Sequence, residues 1–151
     1  MANFAELMKG KIEDLMKAPP ALPIGDYPGV VRKFEFRSFE GTDKTTGEKK
    51  TFHKLALTVG LLGWPDSFDP EQIAESRVEN ITQRITVKEF FLPPGRDFAK
   101  LCQECGITGE VDERTPGLLV GQHVLACVKH RADRKTGEIF AFADSLIGAG
   151  A

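Results

Sequence analysis

Cys102 and Cys105 are separated by two residues, a spacing that can serve a metal site or a redox pair. A structural zinc site uses four ligands, usually from two such close pairs. The candidates to complete it are His123, Cys127 and His130, which do not form a second close pair. A thioredoxin-type pair begins a helix, whereas this pair ends one and continues its apolar stripe. We therefore predict that both cysteines pack in the core, without a metal or cofactor.

The sequence offers no recognisable catalytic motif. The segment 41–51, GTDKTTGEKKT, superficially resembles a phosphate-binding P-loop, but five residues separate its glycines where that motif has four, and glutamate follows the second. There is no His-Glu-x-x-His motif, nucleophile elbow or pair of carboxylates in a catalytic pattern. The three histidines, His53, His123 and His130, stand singly on predicted strands. We expect that the protein is not an enzyme.

Two stretches nearly repeat each other, DKTTGEKKTF from Asp43 and DRKTGEIFAF from Asp133, ninety positions apart. Each joins basic residues to Gly-Glu and then to a strand-like segment that contains phenylalanine. This composition is typical of a polar hairpin turn. The cations in both stretches also suit a pair of clamps on a polyanion. The basic residues of these loops and their flanking strands are Lys44, Lys49, Lys50, Lys129, Arg131, Arg134 and Lys135.

The segments around the two loops alternate between apolar and polar residues, as half-buried strands do. Five strands are predicted, in VVRKFEFRSF from Val30, KKTFHKLALTV, NITQRITVKEFFL, GQHVLACVKHR and EIFAFADSL. The residues predicted to face the core are Leu55, Leu57, Val59, Ile81, Ile85, Val87, Val124, Ala126 and Val128. Phe140 and Phe142 share one side of the last strand, and either side could face the core.

Three segments are predicted to be helical. The first runs from Asn3, as the cap of a capping box, to the Pro19-Pro20 stop, and RDFAKLCQECG forms a second that ends at Gly106. The third begins at Asp69-Pro70 within an insertion at 60–79. Trp64 in that insertion either packs against the rest of the protein or contacts a partner. The apolar stripe of the first helix consists of Phe4, Leu7, Met8, Ile12, Leu15 and Met16.

Composition limits the possible classes of protein. The chain has 151 residues, 41% of them hydrophobic and 28% charged, which fits one folded domain. The net charge is −2, so a partner such as nucleic acid would require the cations to gather on one face. No run of about eighteen apolar residues is present. Three cysteines without an export signal indicate reduced thiols and a cytoplasmic location.

The predicted order of elements is hairpin, strand, helix, hairpin. We therefore predict a mainly β fold, a five-stranded OB-fold-like barrel with a helix between strands 3 and 4. In that fold, the strand 1–2 and 4–5 loops and the face of strands 2–3 contact oligonucleotides or oligosaccharides. The expected divisions are 1–21 as N-terminal helix and Pro-rich connector, 22–146 as the barrel and 147–151 as a flexible tail.

Cations and aromatic rings alternate on the predicted outward faces, as single-stranded nucleic acid requires. A solvated sheet surface also carries many charges, and Glu35 and Glu89 interrupt this one. A bulge near Glu89 would alter the facing of Phe90 and Phe91. The outward residues predicted to bind nucleic acid are Lys33, Arg37, Phe39, Phe52, Lys54, Arg84, Lys88 and Phe90.

Three segments, LPIGDYPGVVRKFEF, FAKLCQECGI and LLVGQHVLACVKHR, resemble parts of small OB-fold single-stranded-DNA-binding proteins of bacteriophages and prophages. The resemblance covers about residues 22–146. It implies coating of exposed DNA strands in replication or recombination, in the cytoplasm of a bacterial host. Bacterial relatives end in an acidic tail with an apolar tip that recruits partners, and SLIGAGA has neither.

A different class of protein also fits the sequence. A phage structural protein, such as a capsid decoration or tail component, can use a β-barrel for assembly. Its contact elements would be the N-terminal helix, which could also form a homo-oligomer, and the 60–79 insertion. An accessory domain that binds a replication or recombination protein is a further alternative.

Overall fold

The computed structural model describes residues 3–15 and 20–149. Its strands are β1 (Gly25–Thr42), β2 (Lys49–Leu61), β3 (Ile85–Leu92), β4 (His123–Ala132) and β5 (Ile139–Gly148). Its helices are α1 (Phe4–Leu7), α2 (Ile12–Leu15), α3 (Pro70–Ser76), α4 (Arg96–Glu104) and α5 (Thr115–Leu119), with a 3-10 turn at Ile81–Gln83. No helix within the described ranges has the length and apolar character needed to cross a membrane.

The five strands form one antiparallel sheet in the order β3-β2-β1-β4-β5. Irregularities between Val31 and Lys33 in β1 and between Cys127 and Val128 in β4 sharpen the local twist. The edge strands β3 and β5 consequently approach each other, with Cα atoms within 8 Å. The sheet is therefore barrel-like, with a seam between its two edges.

Strand β1 begins five residues earlier than the sequence pattern predicts. Gly25 to Gly29, expected to form an extended connector before the strand, pair with Val128 to Val124 of β4. Pro28 lies inside this strand, where proline is rare because it cannot donate a ladder hydrogen bond. Its carbonyl still accepts a hydrogen bond from the Leu62 N–H at 2.9 Å. The end of the predicted connector is thus the beginning of the central strand.

The main core lies inside the curled sheet and is covered by α4. The alternating residues of β2 and β4 predicted to face the core are buried. Helix α4 contributes Phe98, Leu101 and Cys102, and Cys105 at its C-cap completes the predicted apolar stripe. Gly106 has a φ of +77°, so the expected left-handed helix end is also present.

A second cluster lies where the connector and the 60–79 insertion meet the sheet. Tyr27 is fully buried there, and its ring centroid lies 6.1 Å from that of Trp64 and 6.0 Å from that of Phe68. The Tyr27 hydroxyl donates a hydrogen bond to the Pro23 carbonyl, and burial raises the pKa of that hydroxyl to about 12. Trp64 therefore packs against the core. The α3 cap predicted at Asp69 is present.

The predicted facing of β3 is wrong. Thr86 and Phe90 are buried, whereas Ile85 is exposed and Val87 lies on the outer side with Phe91. Both sets of alternate residues carry apolar side chains, so periodicity alone does not select one. The deciding contact is a T-shaped pair between the Phe90 and Phe98 rings, 5.3 Å apart, which ties β3 to α4. Ile81, also predicted to face inward, lies in the 3-10 turn beside the second cluster.

The chain ends also differ from expectation. In place of one helix from residue 4 to 16, two four-residue helices, α1 and α2, flank Gly10, a residue that disfavours helix by about 1 kcal/mol. Asn3 makes no side-chain cap hydrogen bond. At the other end β5 continues through Gly148, so the expected tail at 147–151 begins inside a strand. Met16 and residues 150–151 lie outside the described residues.

The neighbouring phenylalanines of β3 give a direct test of this facing. Phe90→Ala should lower the free energy of unfolding by about 3–5 kcal/mol, because it removes a buried ring from the core. Phe91→Ala should change it by about 0.5 kcal/mol or less, because that side chain is 62% exposed. Urea unfolding followed by circular dichroism measures both. The reverse ranking would show that β3 faces the other way.

Candidate nucleic-acid interface

The two near-repeated loops form the same turn. Asp43 donates its N–H to the Glu48 carbonyl and accepts the Gly47 N–H at its own carbonyl, at 2.8 and 2.7 Å. Asp133 makes the equivalent bonds with Glu138 and Gly137, both at 2.8 Å. The turns therefore join β1 to β2 and β4 to β5 in one local geometry, as the repeat predicts.

Side chains and glycine fix this geometry from within each turn. The Asp43 carboxylate accepts the Thr45 N–H at 2.8 Å, which lowers the pKa of that carboxyl below its usual value of 3.8. The Asp133 carboxylate accepts the Lys135 N–H at 2.7 Å. Gly47 and Gly137 have φ values of +73° and +74°, in the left-handed region. Lys44, Thr45, Arg134 and Lys135 consequently project from tips whose shape is set locally.

A cleft of about 490 Å³ follows the seam between β3 and β5. At one side Phe91 also lines a shallow depression that reaches Asp43 and Lys44 of the first turn. At the other, Phe140 also lines a depression that reaches Asp133 of the second turn. We call these three contiguous depressions the groove. It connects the two turns across one surface of the molecule.

An aromatic and cationic cluster forms the β1–β3 side of the groove. The Lys54 ammonium lies 4.7 Å from the ring centroid of Phe39 and 4.8 Å from that of Phe91, within range of a cation–π interaction. Phe39 stacks on Phe52 with centroids 5.4 Å apart. Gly41 lies beneath Phe52, and a Cβ there would come within 2.9 Å of that ring. Phe39 and Phe91 remain 39% and 62% exposed.

Strand β5 supplies the opposite side of the groove. Ala143 is buried, so Phe140 and Phe142 lie on the outer face, which settles the alternative that the sequence leaves open. The Arg131 guanidinium lies 4.7 Å from the Phe142 ring centroid. Next to it Lys129 pairs with Asp144 at 3.1 Å, and this bond raises the pKa of Lys129.

Carboxylates neutralise several cations of the groove. Glu89 lies 3.7 Å from the Lys54 ammonium and 4.0 Å from the Arg37 guanidinium. Lys88 lies 4.0 Å from Asp97 and under 5 Å from the buried Phe90 ring. The interruption of positive charge that Glu89 predicts is therefore real, and the middle of the groove is close to neutral.

Most of the predicted binding residues share this surface, but one does not. Phe90 is in the core and has no open face for stacking. Arg84 precedes β3 and donates a hydrogen bond to the Pro20 carbonyl at the end of the groove. Those that line the groove are Phe39, Lys44, Phe52, Lys54, Arg84, Lys88 and Arg131. Those beside it on the outer face or turns are Lys33, Arg37, Lys49, Lys50, Lys129, Arg134 and Lys135.

Three aromatic residues of the groove were not among the predicted binding residues: Phe91, Phe140 and Phe142. In β5 the pairing with β4 identifies them, because Phe140 lies opposite Arg131 and Phe142 lies opposite Lys129, two of the predicted binding residues. In β3 the signal was weaker, because two phenylalanines in succession leave the facing undecided. Only the contact with α4 assigns Phe91 to the surface.

The cysteine pair lies in the core as expected. Burial raises the pKa of the Cys102 and Cys105 thiols. The Cys105 thiol further raises the pKa of Cys102, and the Glu104 carboxylate further raises the pKa of Cys105. Across residues 3–15 and 20–149, no group of three or more His, Cys, Asp or Glu side chains is arranged to hold a metal ion.

Comparison of the sequence with protein-family models and with curated proteins finds no match.

The matching turns predict matching sensitivities. Gly47→Ala and Gly137→Ala should each lower the free energy of unfolding by about 1 kcal/mol, because alanine is strained at these φ values. Gly63→Ala is the control, since a Cβ there meets no atom within 4 Å and its φ is not in the left-handed region. Chemical unfolding measures all three. Equal stability of the turn variants and wild type would contradict the assigned turn geometry.

Proposed function

We propose that the protein is an OB-fold module that binds single-stranded DNA with little sequence preference. The strand order, with β1 shared between β2 and β4, and the helices between β3 and β4 support an OB-type barrel. The resemblance to phage and prophage proteins supports a role in replication or recombination inside a bacterial host. In such a fold the 1–2 and 4–5 loops flank the ligand.

One observation carries the proposal: the groove joins both turns and exposes phenylalanine rings beside cations. Phe39 and Phe91 border one side, and Phe140 borders the other. Base stacking on such rings stabilises binding by roughly 1–3 kcal/mol per base and tolerates any sequence. A strand bound here would contact both turns at once.

Salt dependence separates the contributions of charge and stacking. An unstructured mixed-sequence DNA oligonucleotide, labelled for fluorescence polarisation, should bind at low salt with log K falling linearly with log salt, at about −0.7 per phosphate neutralised. The double variant Lys44→Ala/Lys135→Ala should flatten this slope, because it removes one cation from each turn. Phe91→Leu and Phe140→Leu should weaken binding and leave the slope nearly unchanged.

Two residues away from the groove provide matched controls. Phe36 is exposed on the opposite face of the β1–β2 hairpin, in a separate apolar depression with Val111, so Phe36→Leu should preserve affinity. Arg114→Ala removes an exposed cation that lines none of the three depressions. No binding by wild type at low salt would end the proposal. An equal loss of DNA affinity in the control and groove variants would show that the groove is not the binding site.

A phage structural or assembly role is the second candidate, and α1 and α2 favour it. Phe4, Leu7, Met8 and Ile12 are between 70 and 83% exposed. An apolar stripe left open to water is typical of a segment that contacts another chain, including a second copy of this one. This segment does not line the groove, so the two candidate functions use different surfaces.

Self-association tests this second candidate. If the exposed stripe mediates assembly, sedimentation velocity should show oligomers that persist in high salt, because apolar contacts are not screened. Leu7→Asp should give monomers, whereas the exposed polar control Glu13→Ala should leave the oligomers intact. A chain that sediments as a monomer at all concentrations would remove homo-assembly as a role for this segment.

A further inference from the structure

The groove offers a bound DNA strand two chemically different zones. Three carboxylates and three cations line the central cleft: Glu89, Asp97, Asp144, Lys54, Lys88 and Arg131. Arg131 of the cleft and the turn cations Lys44, Arg134 and Lys135 take part in no ion pair within the described residues. Each turn also carries two carboxylates, but Lys49 and Lys50 add positive charge directly after the first turn. A phosphate that follows these cations avoids the three carboxylates of the cleft.

Bases are consequently favoured in the cleft. Glu89 would repel a phosphate placed beside Lys54, from which it lies 3.7 Å. The exposed Phe91 ring accepts the flat face of a base at the same place. A DNA strand avoids the repulsion by Glu89 and stacks on Phe91 when its bases point into the cleft and its phosphates follow the basic turns.

Glu89 and Phe91 lie two residues apart on the same outer face of β3. Such neighbours are about 6–7 Å apart along a strand, so a base stacked on Phe91 presents its edge to the Glu89 carboxylate. An ionised carboxylate only accepts hydrogen bonds. It pairs well with the exocyclic amino group of cytosine, adenine or guanine, and poorly with the O4 carbonyl that thymine places at the same edge.

We propose that Glu89 gives the groove a base preference, favouring bases with an exocyclic amino group over thymine. This inference rests on the proposed function and adds the chemistry of the preferred strand. The role belongs to Glu89 rather than to acidity in general, because Glu35 on β1 is also exposed and paired with Arg37 but does not line the cleft.

Oligo(dC) and oligo(dT) of equal length are the matched probes, since they carry the same phosphates and single-ring bases. They differ in the N4 amino group against the O4 carbonyl and in N3, which accepts a hydrogen bond in cytosine and donates one in thymine. Oligo(dU) controls for the thymine methyl group. Wild type should bind oligo(dC) roughly two- to tenfold more tightly than oligo(dT) or oligo(dU) at neutral pH, the net effect of one ordinary, solvent-accessible hydrogen bond.

Glu89→Gln should abolish this ratio, because an amide donates to O4 as readily as it accepts from N4. It should also tighten binding to every probe, because Lys54 and Arg37 lose a competing carboxylate. Glu35→Gln, the control, should keep the wild-type ratio. Thermal unfolding checks that both variants fold.

The outcomes separate the two proposals. Binding of all probes with equal affinity, or a ratio that Glu89→Gln leaves unchanged, overturns the role of Glu89 while strand binding stands. Failure of wild type to bind any probe overturns both. A ratio that disappears in Glu89→Gln and persists in Glu35→Gln supports the inference.

Discussion

The groove depends on β1 pairing with two partners at once. Its first residues, from Gly25 to Val30, form a ladder with β4, and its length from Gly29 to Thr42 pairs with β2. The irregularity between Val31 and Lys33 bends the strand just after the residues that pair with β4. Without that bend β3 and β5 would be distant edges of a flat sheet. With it they meet, and the seam between them becomes the central cleft.

The same bend explains why the core is divided. One cluster fills the curled sheet beneath α4, and the other gathers around Tyr27 where the connector returns across the β2–β3 insertion. Arg32, at the irregularity itself, crosses the backbone of Gly60, where a Cβ would overlap its guanidinium. Glycine at this position leaves room for the Arg32 side chain against β2.

Local patterns predicted those parts of the structure that local forces determine. The two turns, the α4 stripe and the Gly106 helix end all follow from residues close in sequence. The facing of β3 did not, because both of its alternating sets are apolar and a distant ring, Phe98, selects between them. The early start of β1 was hidden by Pro28, which normally argues against a strand.

The candidate site shows the same division. Lys54 and Arg131 line the cleft, as their predicted outward positions indicate. Lys88 also lines it, although it lies on the same side of β3 as the buried Thr86 and Phe90. The sequence identified only some of the aromatic residues of the groove. Phe91 and Phe140 were missed because their exposure depends on which side of each edge strand packs inward. The neutralising contacts of Glu89 also join residues on three different strands, and no single-strand pattern contains them.

Each turn holds its shape through its own aspartate, threonine and glycine, with no bond to the rest of the barrel among those that define it. Shape and charge are therefore separable in these loops. Substitutions at Lys44, Arg134 or Lys135 alter the electrostatic potential at the rim while the scaffold beneath stays the same. A family built on this plan could adjust how firmly it holds a polyanion one loop at a time, without re-optimising its folding.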